Sequence, residues 1–281
     1  MNISCETFSE VGMCRKDNQD RIYSYIGDEF SLFVIADGMG GHSAGGYAGD
    51  VVIKHAEIIQ YMLMRFHGDI QGAVDIAVSE ISAANTELFR YGQKNGIICG
   101  STVSMLIILD NVFAVINAGD SPVYFADRNR FIHASTEHLY AEMEKKSTLI
   151  FVPDDDERSG RLTKAVGAAE NIYPSVRTDR ICGRQAFLMC SDGVSRYTDE
   201  ASVSRLLKDT ARGRLTVKNA LEKLRQNAYS SGAQDNLSAA VILAEKSDGA
   251  FRLSRLLFAV LCVLASVAVI TAAVMALILR G

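Results

Sequence analysis

Short, continuous apolar runs alternate along this chain with longer stretches in which apolar residues return every three or four positions. The runs Ser31–Ala36, Thr102–Leu109, Val112–Ala118, Ala186–Cys190 and Leu237–Leu243 are bounded by turn residues, which predicts buried strands. Ala48–Phe66 and Ile70–Lys94 carry helical spacing, and in the second Val74, Ala77, Val78, Ile81, Ala84 and Leu88 share one face, as in a helix packed on a sheet. Arg214 to Thr216 leads into a further surface helix over Val217–Tyr229. Two helices in succession followed by adjacent strands argue against strict βαβ alternation and for helices laid outside antiparallel sheets. The predicted class is α+β, without an internal repeat.

The pattern ends in an apolar tract, Leu256–Leu279, free of charge. At roughly 24 residues it is long enough to cross a hydrocarbon core of about 30 Å. Arg252 and Arg255 precede it and only Arg280 and Gly281 follow, so the positive-inside bias keeps the large preceding part in the cytoplasm. A helix buried in a protein core is the alternative, disfavoured because the tract is apolar all round at the end of the chain. The expected organisation is a domain over 1–245, a short polar linker over 246–255 and a transmembrane helix over 256–279.

Composition narrows the picture. Hydrophobic residues make up 48% and charged residues 22%, which supports a packed core rather than a disordered chain. A formal net charge of -4 leaves no positive excess for a nucleic-acid backbone, so no nucleic-acid partner is expected. The six cysteines, at 5, 14, 99, 182, 190 and 262, lack zinc-site spacing and read as buried thiols. The opening MNISCETFSE has no secretory profile, which points to a reducing cytosol.

The chemical signal is a repeated junction of an apolar run with an aspartate. Phe33 to Gly38 ends in Asp37-Gly38, Phe187 to Gly193 ends in Asp192-Gly193, Asp235-Asn236 opens the last strand, and Asp120 follows Val115 to Gly119. Carboxylates gathered at the edge of an apolar core lose hydration and repel each other, at a cost of several kcal/mol per ion unless a cation compensates. Oxygen donors suit hard divalent ions, and a glycine beside the aspartate, Gly38 here, lets a backbone carbonyl approach one. A single Asp-Gly is more often a plain turn; the repetition favours a metal site.

These residues resemble a known family, the metal-dependent protein phosphatases of the PP2C type in their short bacterial form. Arg15 to Asp20 resembles the family's Arg-x-x-Asn-Glu-Asp element, and Asp37 to His42 its Asp-Gly-Met-Gly-Gly element. Gly100 to Thr102, Gly119 to Ser121, Leu162 to Gly167, Ser191 to Gly193 and Asp235-Asn236 are similar to later elements, in the family's order. Together they form a specific signature where each alone is weak. The resemblance implies a four-layer α-β-β-α sandwich with metals at one end of the sheets. It also implies hydrolysis of phosphoserine and phosphothreonine in proteins, the substrates of a serine/threonine kinase, by a metal-activated water at two divalent cations, Mn2+ or Mg2+.

By that resemblance Asp37 bridges the metals, the Gly38 carbonyl joins one, Asp192 and Asp235 hold the other, and Asp20 acts through metal-bound water. Arg15 is the candidate phosphate clamp, since a guanidinium can give two parallel hydrogen bonds to phosphate oxygens; a plain surface arginine is the alternative. Asp120 stands either at a third, weaker metal or in a structural turn. His42 is either a general acid, to which its ordinary pKa of about 6.5 is suited, or a packing residue. Phe131–Asp156, less strand-like and running into Asp154 to Glu157, resembles the flap over the family's cleft. Three positions depart from the pattern: Gln19 for glutamate, Pro122 for arginine and Lys164 for arginine. They motivate the competing expectation of a catalytically weak, phosphoprotein-binding or regulatory module at the membrane. A non-enzymatic membrane adaptor would leave the clustered carboxylates unexplained.

Overall fold

All five predicted apolar runs are central strands, and their lack of polar alternation follows from layers packed on both faces. The computed structural model describes residues 1–41, 43–138 and 162–246. In chain order its elements are β1 (Asn2–Glu10), β2 (Asp20–Ile26), β3 (Phe30–Met39), α1 (Ser43–Leu63) and α2 (Ile70–Asn95). There follow β4 (Gly100–Ser101), β5 (Val103–Leu109), β6 (Val112–Ala118), β7 (Val123–Ala126), β8 (Phe131–His133), β9 (Ser175–Arg180) and β10 (Arg184–Cys190). The last are α3 (Asp192–Ser195), α4 (Glu200–Ala211), α5 (Val217–Ser230) and β11 (Leu237–Glu245). One sheet runs β1-β11-β10-β7-β8 and the other β2-β3-β5-β6-β9, with β4 paired to β3.

Alternate side chains of each central strand enter different cores. Phe33 and Ile35 of β3, Leu106 and Ile108 of β5 and Phe113 and Val115 of β6 meet Phe125, Phe187, Met189 and Ile242 between the sheets. The intervening residues Leu32, Val34, Met105, Ile107 and Ile116 face outward onto Ala48, Val52 and Ile59 of α1 and Val74, Ala77, Ile81 and Leu88 of α2. On the other sheet, Leu188, Ala239 and Val241 carry Val203 and Leu207 of α4 and Leu221 and Leu224 of α5. The result is the four-layer α-β-β-α arrangement, and burial of Phe33, Phe113, Phe125 and Phe187 at its centre contributes about 1.5–3 kcal/mol each.

Elements at the sheet margins escape the hydrophobic pattern. The outermost strand β9 alternates half-buried and exposed positions throughout. α4, capped by the Asp199 carboxylate on the Ser202 N–H, buries Val203, Leu206, Leu207, Thr210 and Ala211 between polar residues. Phe131–His133, read as less strand-like, is β8 and pairs with β7. The cysteines also correct the reading: Cys99 and Cys190 are buried, but Cys14 and Cys182 are exposed, because they lie in turns between elements. Among the described residues no helix is long and apolar enough to cross a membrane. The tract Leu256–Leu279, Cys262, His42 and Asp154 to Glu157 lie outside the described residues.

Candidate active site

The aspartates singled out in the sequence converge because each lies at the same end of the sandwich. Asp37 lies near the end of β3, Asp20 opens β2, Asp120 follows β6, Asp192 follows β10 and Asp235 precedes β11. Asp37, Gly38, Asp120, Asp192 and Asp235 line one cleft of about 610 Å³ with Arg15, Lys16, Gln19, Thr102 and Arg196. Asp20 does not line it. It is the antiparallel partner of Asp37 across β2 and β3 and is 2% exposed, directly behind the cleft wall.

Two glycines explain why Asp-Gly recurs here. A Cβ on Gly38 would lie 2.0 Å from the Gly45 carbonyl oxygen, and one on Gly193 would lie 2.0 Å from the Asn236 carbonyl oxygen. Only glycine lets the start of α1 close on β3, and lets the turn of Asp192 close on that of Asp235. The backbone of Asp37 is fixed as well: its N–H donates to Thr102 Oγ1 at 2.9 Å, and its carbonyl accepts the Thr102 N–H at 2.8 Å and the Ser101 hydroxyl at 3.1 Å.

Asn236, recognised in the sequence only as part of a motif, holds the loop that carries Arg15. Its Oδ1 accepts the Gln19 N–H at 2.8 Å, and its Nδ2 donates to the Val11 carbonyl at 3.0 Å and the Asp17 carbonyl at 2.9 Å. Arg15 donates from Nε and Nη2 to both oxygens of Asp235, at 2.8 and 2.7 Å. Arg196, which sequence reasoning missed, places Nη2 at 2.5 Å from Asp192 Oδ2 across one helical turn. The signal that could have found it was the i, i+4 spacing from Asp192. Of the departures, Lys164 donates to the Tyr173 carbonyl at 3.2 Å, and Pro122 presents its carbonyl to the Cys190 N–H at 3.2 Å. Neither lines the cleft. Gln19 does.

Electrostatics single out the same residues. Burial first, then the charges of Asp20, Asp192, Asp120 and Asp235, holds the Asp37 carboxyl well above the usual carboxylate range. Burial pushes Asp20 up to about 6, opposed by the hydroxyls of Ser191 and Ser238 and reinforced by Asp192 and Asp235. Burial and Asp192 push Asp120 up to about 6. Such a site favours a cation.

The donor set fits divalent ions on one further observation. Asp20 Oδ2 accepts the Ser191 hydroxyl at 2.8 Å, whereas the buried Oδ1 has no hydrogen-bond partner. Carboxylate and carbonyl oxygens are the donors that a hard ion such as magnesium takes, together with several waters of its own.

Comparison with known proteins agrees. The family model described as Protein phosphatase 2C matches residues 15–228. Protein phosphatase PhpP of Streptococcus pneumoniae is 24% identical over 259 residues, covering 88% of this chain and 99% of its own. The structure of serine/threonine phosphatase Stp1 from Staphylococcus aureus superposes with a TM-score of 0.75 at 22% identity, over 87% of this chain and 96% of that one. The catalytic domain of serine threonine protein phosphatase PstP, solved in complex with 2 manganese ions, superposes with a TM-score of 0.69 at 21% identity, over 86% of this chain and 99% of its own. A family match across most of the chain, on a sandwich whose carboxylates meet at one end, means that this chain belongs to the protein phosphatase 2C family.

Proposed function

We propose that the chain hydrolyses phosphoserine and phosphothreonine in proteins, using two divalent cations, manganese or magnesium, held in the cleft. The observation that carries this reading is the Asp20–Asp37 pair, two carboxyls on adjacent strands with an unpartnered buried oxygen. Ionising both without a cation is costly. The two manganese ions of the PstP structure support the same reading.

Asp37, the Gly38 carbonyl, Asp192 and Asp235 would hold the ions, with Asp20 behind Asp37. Bound there, the ions would polarise the phosphoryl group and activate water. The chain's own residues do the rest. Thr102 and Ser101 fix the strand end that presents Asp37. Arg15 orients the phosphate by its planar fork; its pair with Asp235, with the arginine side chain 57% exposed, is worth at most about 1 kcal/mol and exchanges readily for a phosphate. Asn236 keeps the Arg15 loop against the cleft.

The substrates are proteins phosphorylated by a serine/threonine kinase. The apolar tract Leu256–Leu279 supports a membrane anchor with the phosphatase domain cytoplasmic. The test is release of phosphate from a phosphothreonine peptide with manganese and after chelation. Metal-dependent release is expected; a folded protein that releases none with any metal or phosphopeptide would indicate the binding module instead.

A further inference from the structure

Asp20 lies on an edge, since β2 is the outermost strand of its sheet. The Gln19 carbonyl turns toward β3 and accepts the Gly38 N–H at 3.3 Å. Carbonyls alternate in direction along a strand, so those of Asn18 and Asp20 turn the other way, where no further strand of the described residues pairs with them. Arg21 meets both: its Nη1 donates to the Asn18 carbonyl at 2.8 Å and to the Asp20 carbonyl at 3.0 Å. Its Nε donates to Asp50 Oδ1 of α1 at 2.6 Å. The arginine fits because α1 presents glycine there. A Cβ on Gly49 would lie 3.0 Å from Arg21 Cγ and from the Gln19 carbonyl oxygen, and one on Gly45 would lie 2.7 Å from the Gly38 carbonyl oxygen.

Resting on the metal-dependent reading above, we propose that Arg21 is a positioning residue for the metal ligands: its bonds to the Asn18 and Asp20 carbonyls seat that strand end on α1 and so set Asp20 against Asp37 and Gly38. The pair with Asp50 adds little to this, because the Asp50 side chain is 61% exposed. The carbonyl bonds are partly buried, and a charged donor strengthens them. Asn236 holds the same short segment by other groups, the Gln19 N–H and the Asp17 carbonyl. It serves the loop that carries Arg15, whereas Arg21 serves the strand end that carries Asp20. A role by charge alone would have the opposite sign. A guanidinium beside the site repels a cation, so its removal would then tighten metal binding.

The experiment is calorimetric titration of the full chain, in detergent, with manganese. Arg21→Met keeps a stem in the glycine slot and has no donor. It is expected to weaken manganese binding about tenfold, the order of loss for a residue that orients ligands. Arg21→Lys, which still brings N–H groups toward the carbonyls, is expected to recover part of that loss. Asp50→Ala is expected to stay within about twofold of wild type. The KM of Arg21→Met for a phosphothreonine peptide at saturating manganese is expected to stay within about twofold as well. The Arg21 side chain is 32% exposed, and a thermal melt verifies that the variants fold. Unchanged or tighter binding in folded Arg21→Met, no recovery in Arg21→Lys, an equal loss in Asp50→Ala, or a raised KM with manganese binding unchanged would each overturn the proposal while leaving metal-dependent chemistry standing. Wild type that binds no manganese would overturn both.

Discussion

Asp20→Asn is expected to make the metal-stripped protein progressively more stable than wild type as pH rises, while weakening its metal response. Asp20 is buried, one of its oxygens has no partner, and its carboxyl is pushed from 3.8 to about 6. A carboxyl raised in this way contributes stability that is fully present below pH 3.8 and is lost as pH rises through about 6. Above pH 7 the loss approaches about 3 kcal/mol, at about 1.4 kcal/mol for each pH unit between the two values. Asparagine keeps an acceptor for the Ser191 hydroxyl and cannot ionise. Its amide meets no partner where Oδ1 lies, which costs about 1–3 kcal/mol at every pH. The pH dependence isolates the charge from that constant cost. Relative to wild type, the variant should gain on the order of 2 kcal/mol between pH 4.5 and pH 7.5, shared between Asp20 and the Asp37 carboxyl that its charge holds up. For a domain of this size that is roughly 4–8 °C in Tm. The assay is urea or thermal unfolding of chelated protein at the two pH values, followed by addition of manganese, which should stabilise wild type more than the variant. A difference between the proteins that stays flat with pH, or moves against the variant as pH rises, would refute the claim that Asp20 is an ionisable group held out of water for a cation.

Two further outcomes follow from the same geometry, and a third from the apolar tract Leu256–Leu279 of the sequence. Gly38→Ala sets a Cβ against the Gly45 carbonyl oxygen, so thermal melting should show a loss of about 1–3 kcal/mol together with lost activity; a stable, active variant would contradict the close approach of α1 to β3. Asn236→Ala removes the clamp on residues 11–19, and should lower stability by about 1–3 kcal/mol and raise KM through Arg15; an unchanged KM would separate this loop from substrate binding. The full chain should sediment with membranes, and a chain ending at Asp248 should not; equal solubility of the two would remove the anchor.

What was legible in the sequence depended on where each element sits in the layers. β3, β5, β6, β10 and β11 are covered on both faces and so read as continuous apolar runs, whereas β9 shows solvent at alternate positions and reads as a polar segment. α4 was passed over although Val203, Leu206, Leu207, Thr210 and Ala211 reach the core, because Ser, Arg, Lys and Asp stand between them. Within the site, Asp37, Asp120, Asp192 and Asp235 were visible because each abuts an apolar run. That Asp20 lies behind Asp37 follows from the register of β2 against β3, a long-range pairing that no local pattern encodes. Arg196 carried a weak local signal, its i, i+4 spacing from Asp192. The role of Asn236 depends on carbonyls more than 200 positions away, at Val11 and Asp17, and left no trace in its neighbours.

The central claim, that these carboxylates hold ions for phosphate hydrolysis, is tested most directly by manganese-dependent phosphate release from a phosphothreonine peptide. Wild type, Asp37→Asn and Asp192→Asn would be compared, each shown to be folded by its thermal melt. The account predicts release by wild type that chelation stops, and a loss of at least about a hundredfold in kcat/KM in both variants, since each change removes transition-state stabilisation of about 3 kcal/mol or more. Undiminished release by either folded variant, or release by wild type that survives chelation, would contradict it.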